Sequence, residues 1–317
     1  MRHRTLPAGL GTLALLGVLA GGVAATAEFA ESTDTRTLSF DGRERRYVVH
    51  DFSTGPKAPL VLLLHGGGGH AENMVEMTQF DAVARREGLI AVYPEGTGGT
   101  AGGRLLTWNA GYCCAYALRQ QVDDVGFISA LIDRFVDSGR ADPSRVYLTG
   151  MSNGAMMAHR LGRELSGKLA AIAPVVGAVF GDEPPPQGPL PVLIVVGEID
   201  QTVPGAGGPL GGGGRIGLGQ TADRDVAPAV MQADYWAQAN GCGLTNTRTT
   251  RSYTLRESKG CREGTEVLFY VVTGAGHAWP GGRAPRPGAD RPVRHFPTSE
   301  VIWEFFSRHR RLGEEAR

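Results

Sequence analysis

Residues 145–165 read RVYLTGMSNGAMMAHRLGREL, and this stretch decides the fold. Residues 145–149 have the β-branched and aromatic content of a strand, 154–165 have the apolar spacing of a helix, and Gly150-Met151-Ser152-Asn153-Gly154 joins them. So sharp a turn forces unusual backbone angles on its central residue and crowds the flanking positions, which therefore favour residues without a Cβ. The motif alone is weak. With 47 glycines and 12 serines in 317 residues, chance supplies roughly a quarter of a Gly-x-Ser-x-Gly. Its place between a strand and a helix gives it weight.

The same alternation extends in both directions. Upstream, residues 37–40 and 46–51 flank the turn dipeptide Asp41-Gly42 and predict a hairpin. The bare apolar run 60–64 has strand length and ends in His65-Gly66-Gly67-Gly68-Gly69; a helix is expected over 71–87 and a buried strand over 89–93. Residues 122–136 read as an amphipathic helix. Downstream, 169–176, 191–196 and 266–272 are apolar runs of strand length, with helices over 227–239 and 299–308. Strands alternating with helices imply a mainly parallel central sheet covered on both faces. The stretches 94–121 and 205–225 are long and irregular, the kind that carries function or stays disordered. No repeat, charge block or linker divides the chain, so residues 28–317 are expected to form one α/β domain.

Lys plus Arg (32) equals Asp plus Glu (32), which leaves no basic field for nucleic acid. Glycine is abundant without a Gly-X-Y period, which excludes collagen. Residues 1–27 form their own unit: Arg2 and Arg4, a largely apolar stretch from Leu6 to Ala24, and the small-x-small site Ala25-Thr26-Ala27. They read as a secretory signal, the protein being secreted with no stable membrane association after cleavage. An uncleaved anchor is the alternative, weakened by five glycines, Pro7 and Thr12. Four cysteines suit an oxidising compartment. Cys242 with Cys261 is the easiest closure, adding roughly 3 kcal/mol in the chain-entropy model, whereas the adjacent Cys113 and Cys114 form a vicinal ring, stay reduced or divide between the others. No Cys-x-x-Cys or His-x-x-x-His spacing is present, so no metal and no cofactor are expected.

A serine hydroxyl attacks only when an imidazole takes its proton, and the imidazole needs a carboxylate to fix its tautomer. Both partners are expected on loops after later strands. The run 191–196 leads into Gly197-Glu198-Ile199-Asp200, and 266–272 leads into Gly274-Ala275-Gly276-His277. Asp200 and His277 are the choices, with Glu198 the rival carboxylate. The other histidines are weaker: His3 leaves with the signal, His50, His65 and His70 precede the serine, His159 falls inside the following helix, His295 follows no strand and His309 lies in the charged tail. Acyl transfer also needs backbone N–H groups aimed at the developing oxyanion. Asn153 N–H and, on the loop after residue 64, Gly67 or a neighbour are the expected donors. Gly66, Gly68 and Ala71 also fit a loose dinucleotide-binding pattern with Glu95 behind it, a cheap match in a glycine run.

Together these residues resemble the secreted polyhydroxybutyrate depolymerase and feruloyl esterase group of the α/β-hydrolases. The likeness runs through Leu64-His65-Gly66-Gly67, Trp108-Asn109-Ala110-Gly111 with Cys113-Cys114, residues 122–127, the elbow 150–154, residues 200–204, Asn240-Gly241-Cys242 and Gly276-His277-Ala278-Trp279-Pro280-Gly281-Gly282. It implies an α/β-hydrolase fold and ester hydrolysis through Ser152, Asp200 and His277. It also carries the oxyanion donor onto Gly67, where relatives often have Cys. The implied substrates are hydroxyalkanoate polyesters, feruloyl or acetyl esters of plant polysaccharides, and small esters. With no stretch evident for a polymer-binding module, soluble or oligomeric esters are expected. Trp108 and Trp279 are candidate aromatic contacts for substrate, packing being the alternative for each. Acyl transfer to an alcohol and a non-catalytic binding protein are the other readings of the same residues.

Overall fold

The computed structural model describes Met1 and residues 32–99, 105–213, 224–284 and 288–311; the expected signal, residues 1–27, lies outside the described residues apart from Met1. The chain opens on the hairpin β1 (Ser32–Phe40) and β2 (Arg43–Asp51). Asp41 and Gly42 between them have φ of 49° and 69°, the paired left-handed turn whose twist matches that of the strands. Strand β3 (Ala58–Leu64) is buried along its whole length, as its unbroken apolar run requires.

The helix expected over 71–87 is two helices, α1 (Ala71–Thr78) and α2 (Asp81–Glu87). Gln79 is left-handed at φ 52° and ends the first helix, while Thr78 Oγ1 donates to Met74 O and accepts from Phe80 N. Side-chain bonding of this kind competes with helix propagation. There follow β4 (Ile90–Pro94), the short α3 (Ala115–Arg119), α4 (Asp124–Asp137) capped by Asp123 onto Gly126 N, β5 (Ala141–Met151), α5 (Asn153–Glu164), β6 (Ala171–Val175) and β7 (Val192–Gly197). Then come α6 (Val230–Ala239), β8 (Leu244–Thr249), β9 (Tyr253–Lys259), β10 (Val267–Val272) and α7 (Thr298–Phe306).

Among the described residues ten strands form one sheet in the order β1-β2-β4-β3-β5-β6-β7-β10-β9-β8. The six from β4 to β10 run parallel; antiparallel hairpins finish both edges. One apolar cluster packs Phe127 of α4, Leu161 of α5 and Trp236 of α6 on one face, and another packs Met74, Val83 and Phe305 of α1, α2 and α7 on the other. This is the α/β-hydrolase arrangement, a mainly parallel sheet covered on both sides. The β8–β9 hairpin was not expected, because β8 is exposed throughout and has no apolar alternation to read. Cys242 and Cys261, paired, close its base, and Cys113 is paired with Cys114. No helix among the described residues is long and apolar enough to cross a membrane.

Candidate active site

Ser152 sits between β5 and α5 with φ 56° and ψ −121°, a conformation an L-residue adopts only when its surroundings impose it. Those surroundings exclude side chains. A Cβ on Gly150 would lie 2.5 Å from Gly154 O, and one on Gly154 would collide with the carbonyl of Leu64. Ser152 N donates to Val175 O on the neighbouring β6, at 3.0 Å, which ties the turn to the sheet.

His277 lies on the loop after β10 and Asp200 on the loop after β7, two strands that pair in parallel and so deliver both loops to one end of the sheet. His277 Nδ1–H donates to Asp200 Oδ2 at 2.8 Å, leaving Nε2 as the acceptor of the Ser152 hydroxyl at 2.9 Å. The carboxylate is 4% exposed, and its other oxygen accepts from Thr202 N at 2.8 Å and Val203 N at 2.9 Å. Asp200 is thereby fixed from both sides. Glu198 is exposed and accepts instead from Gly274 N at 2.8 Å. Asp290 was not anticipated. Its carboxylate accepts from His277 N at 2.6 Å; it stands in no motif and follows no strand.

The loop after β3 lies against this group, since a Cβ on Gly66 would be 3.4 Å from Ser152 Cβ. Neither Gly67 N nor Asn153 N has an acceptor among the described residues. Asn153 is at the first turn of α5, where backbone N–H groups have no partner within the helix. Its side chain accepts from Trp108 N at 2.7 Å and donates to Trp108 O at 3.1 Å. His65 braces the same loop: Nε2 accepts from Gly96 N at 3.0 Å, so Nδ1–H donates to Gly66 O at 2.8 Å. Burial lowers its pKa to about 4, which keeps it neutral and in that tautomer at pH 7.

Trp108 and Trp279, expected as aromatic contacts for substrate, are both buried, at 0% and 1% exposure. Trp108 Nε1 donates to His65 O at 3.0 Å and Trp279 Nε1 to Ser299 Oγ at 3.1 Å. Both indoles are packed inside with their N–H groups satisfied there, the arrangement that the packing alternative describes. Beneath Trp108, Asn109 N donates to Asp124 Oδ2 at 2.7 Å and Arg45 pairs with Asp124 at 2.6 Å, both charges buried. Burial raises the Asp124 pKa and lowers that of Arg45, each offset by the other's charge.

The family model described as "Esterase PHB depolymerase" matches residues 52–187. The chain is 31% identical over 293 residues to "Putative esterase NocK" of Nocardia uniformis subsp. tsuyamanensis, covering 86% of this chain and 82% of that one. It is 29% identical over 231 residues to feruloyl esterase B of Piromyces equi, covering 71% of this chain and 40% of that protein. Among solved structures, the acetyl xylan esterase from Aspergillus awamori superposes with a TM-score of 0.57 at 16% identity, over 87% of this chain and 99% of that one; at that identity the likeness is one of fold. By sequence kinship across most of its length, the chain belongs to the esterase PHB depolymerase family and is a carboxylic ester hydrolase.

Proposed function

We propose that the protein is a serine esterase that works through an acyl-enzyme at Ser152 on soluble or oligomeric esters. The observation that carries this reading is the unbroken chain of hydrogen bonds from Ser152 Oγ through His277 to the buried Asp200. As Oγ attacks the ester carbonyl, His277 Nε2 takes its proton, and Asp200 stabilises the imidazolium that results. The carbonyl oxygen becomes an oxyanion facing the free N–H groups of Gly67 and Asn153. His277 then returns the proton to the departing alkoxide. The alcohol leaves and the acyl group stays on Ser152. A water molecule, deprotonated by the same imidazole, repeats the attack and releases the acid.

Relatives named feruloyl esterase and acetylxylan esterase support polysaccharide-borne feruloyl or acetyl esters as the substrate class. Replacement Ser152→Ala is expected to reduce hydrolysis of p-nitrophenyl acetate by at least about 10⁴-fold with an unchanged circular dichroism spectrum; retained turnover refutes the acyl-enzyme. Residues 1–27 are proposed to direct export, leaving 28–317 as the catalytic domain. Amino-terminal sequencing of protein recovered from the medium should then begin at Glu28, and an intact Met1 on the exported protein contradicts it.

A further inference from the structure

A cavity of about 620 Å³ opens beside the loop 66–70, at the carboxyl ends of β3 and β4, and the mechanism above leaves it unused. Its size is that of a small-molecule pocket, and the ends of parallel strands are where such folds hold ligands. The wall is polar and of mixed sign, with Arg43, Arg45 and Arg46 set against Glu44, Glu72 and Glu95. Most of these charges are already compensated. Arg46 pairs with both Glu72 and Glu95, and Arg45 pairs with Asp124.

Three ligand chemistries compete for such a wall. His70, Glu72 and Glu95 bring a ring nitrogen and two carboxylates within 4.8 Å of one another, but the Arg46 guanidinium occupies both carboxylates and a divalent cation would have to expel it. An anion would find no net positive field, since Arg43, Arg45 and Arg46 are matched by Glu44, Glu72, Glu95 and the Asp124 partner of Arg45. A neutral ligand dense in hydroxyls fits without disturbing any pair, because each hydroxyl can donate to a carboxylate and accept from a guanidinium. The cavity is also tethered to the reaction centre: Gly66 stands against Ser152, and His70 on the cavity wall is four residues further on, at most ~14 Å of chain.

We propose that this cavity is a subsite for a neutral sugar unit on the alcohol side of the ester. The role of that sugar rests on the esterase reading, whereas its binding does not, and the test separates them. Xylotriose, which carries no ester, is titrated calorimetrically into the full chain and into Arg43→Ala and Glu72→Gln, both partly exposed positions whose folding circular dichroism checks. Saturable binding, weakened about fivefold or more by each substitution, is the expected result. The proposal is overturned by no saturation up to about 20 mM, by binding indifferent to both substitutions, or by a response to calcium, zinc or a uronic-acid trisaccharide without one to xylotriose. If one variant fails to fold, the wild-type titration and the other variant still decide. Hydrolysis of p-nitrophenyl acetate by the same preparation reports the esterase reading separately: lost turnover with sugar binding retained faults that reading alone, and the reverse faults the subsite alone.

Discussion

At the scale of single residues, Asp200 and Glu198 show how two carboxylates two positions apart acquire different work. Asp200 points inward, takes two backbone N–H groups and the His277 ring, and is buried. Glu198 points out and caps Gly274 N. Asp200→Asn is therefore expected to lower kcat by about 10³–10⁴-fold, because an amide can offer His277 the wrong partner and so the wrong tautomer. Glu198→Gln should stay within about twofold of wild type, as exposed polar groups contribute little. Equal losses in the two variants, measured as kcat on one chromogenic ester, would dissolve the distinction. Ser152 and its flanking glycines were legible in the sequence because a strained turn leaves a local signature. Asp290 was not, since a carboxylate that accepts one backbone N–H across 13 residues has no spacing rule to betray it.

At the scale of elements, α5 does two jobs. Its amino end carries Asn153 N–H, the proposed oxyanion donor, and its middle is locked to α6 through His159. Trp236 Nε1–H donates to His159 Nδ1 at 2.9 Å, so His159 Nε2–H donates to Gln232 Oε1 at 2.8 Å, and Gln232 Nε2 donates to Gly177 O at 3.1 Å. A proton on Nδ1 would set two N–H donors face to face. Burial lowers the pKa of His159 to about 4, as it does for His65. The unfolded chain then binds more protons than the folded one between pH 6.5 and about 4. Stability is thus full above pH 6.5 and declines as the pH falls through that window, on the order of 3 kcal/mol for each histidine. Urea midpoints at pH 7, 5.5 and 4 should fall in that order, and His159→Gln should flatten the decline; a flat wild-type profile contradicts the assignment. Expectations at this scale were uneven. Strands buried on both faces were read from their apolar runs, whereas the break at Gln79 and the exposed β8–β9 hairpin were not, since local side-chain bonding and edge pairing leave no hydrophobic period.

At the scale of the molecule, one sheet with an apolar cluster on each face carries the loops that meet at Ser152. The Cys242–Cys261 bond closes a hairpin at the sheet's outer edge, two strands beyond β10. Replacing both cysteines with serine is expected to lower unfolding free energy by about 3 kcal/mol while leaving kcat/KM at 25 °C close to wild type; a collapse of kcat/KM in soluble, folded protein would show that the edge supports the site. The alternation of buried strands with helices, the elbow and the choice of Ser152, Asp200 and His277 as the candidate triad came from the amino-acid sequence, because propensity, periodicity and turn chemistry act between near neighbours. Tertiary structure alone decided that the loops after β7 and β10 bring Asp200 and His277 together at Ser152, that Trp108 and Trp279 are sealed inside, and that Arg46 occupies the carboxylates of Glu72 and Glu95. Each of those outcomes depends on which distant segments the packed sheet brings within hydrogen-bonding reach, and a contact across 77 or 125 residues leaves no mark on local order.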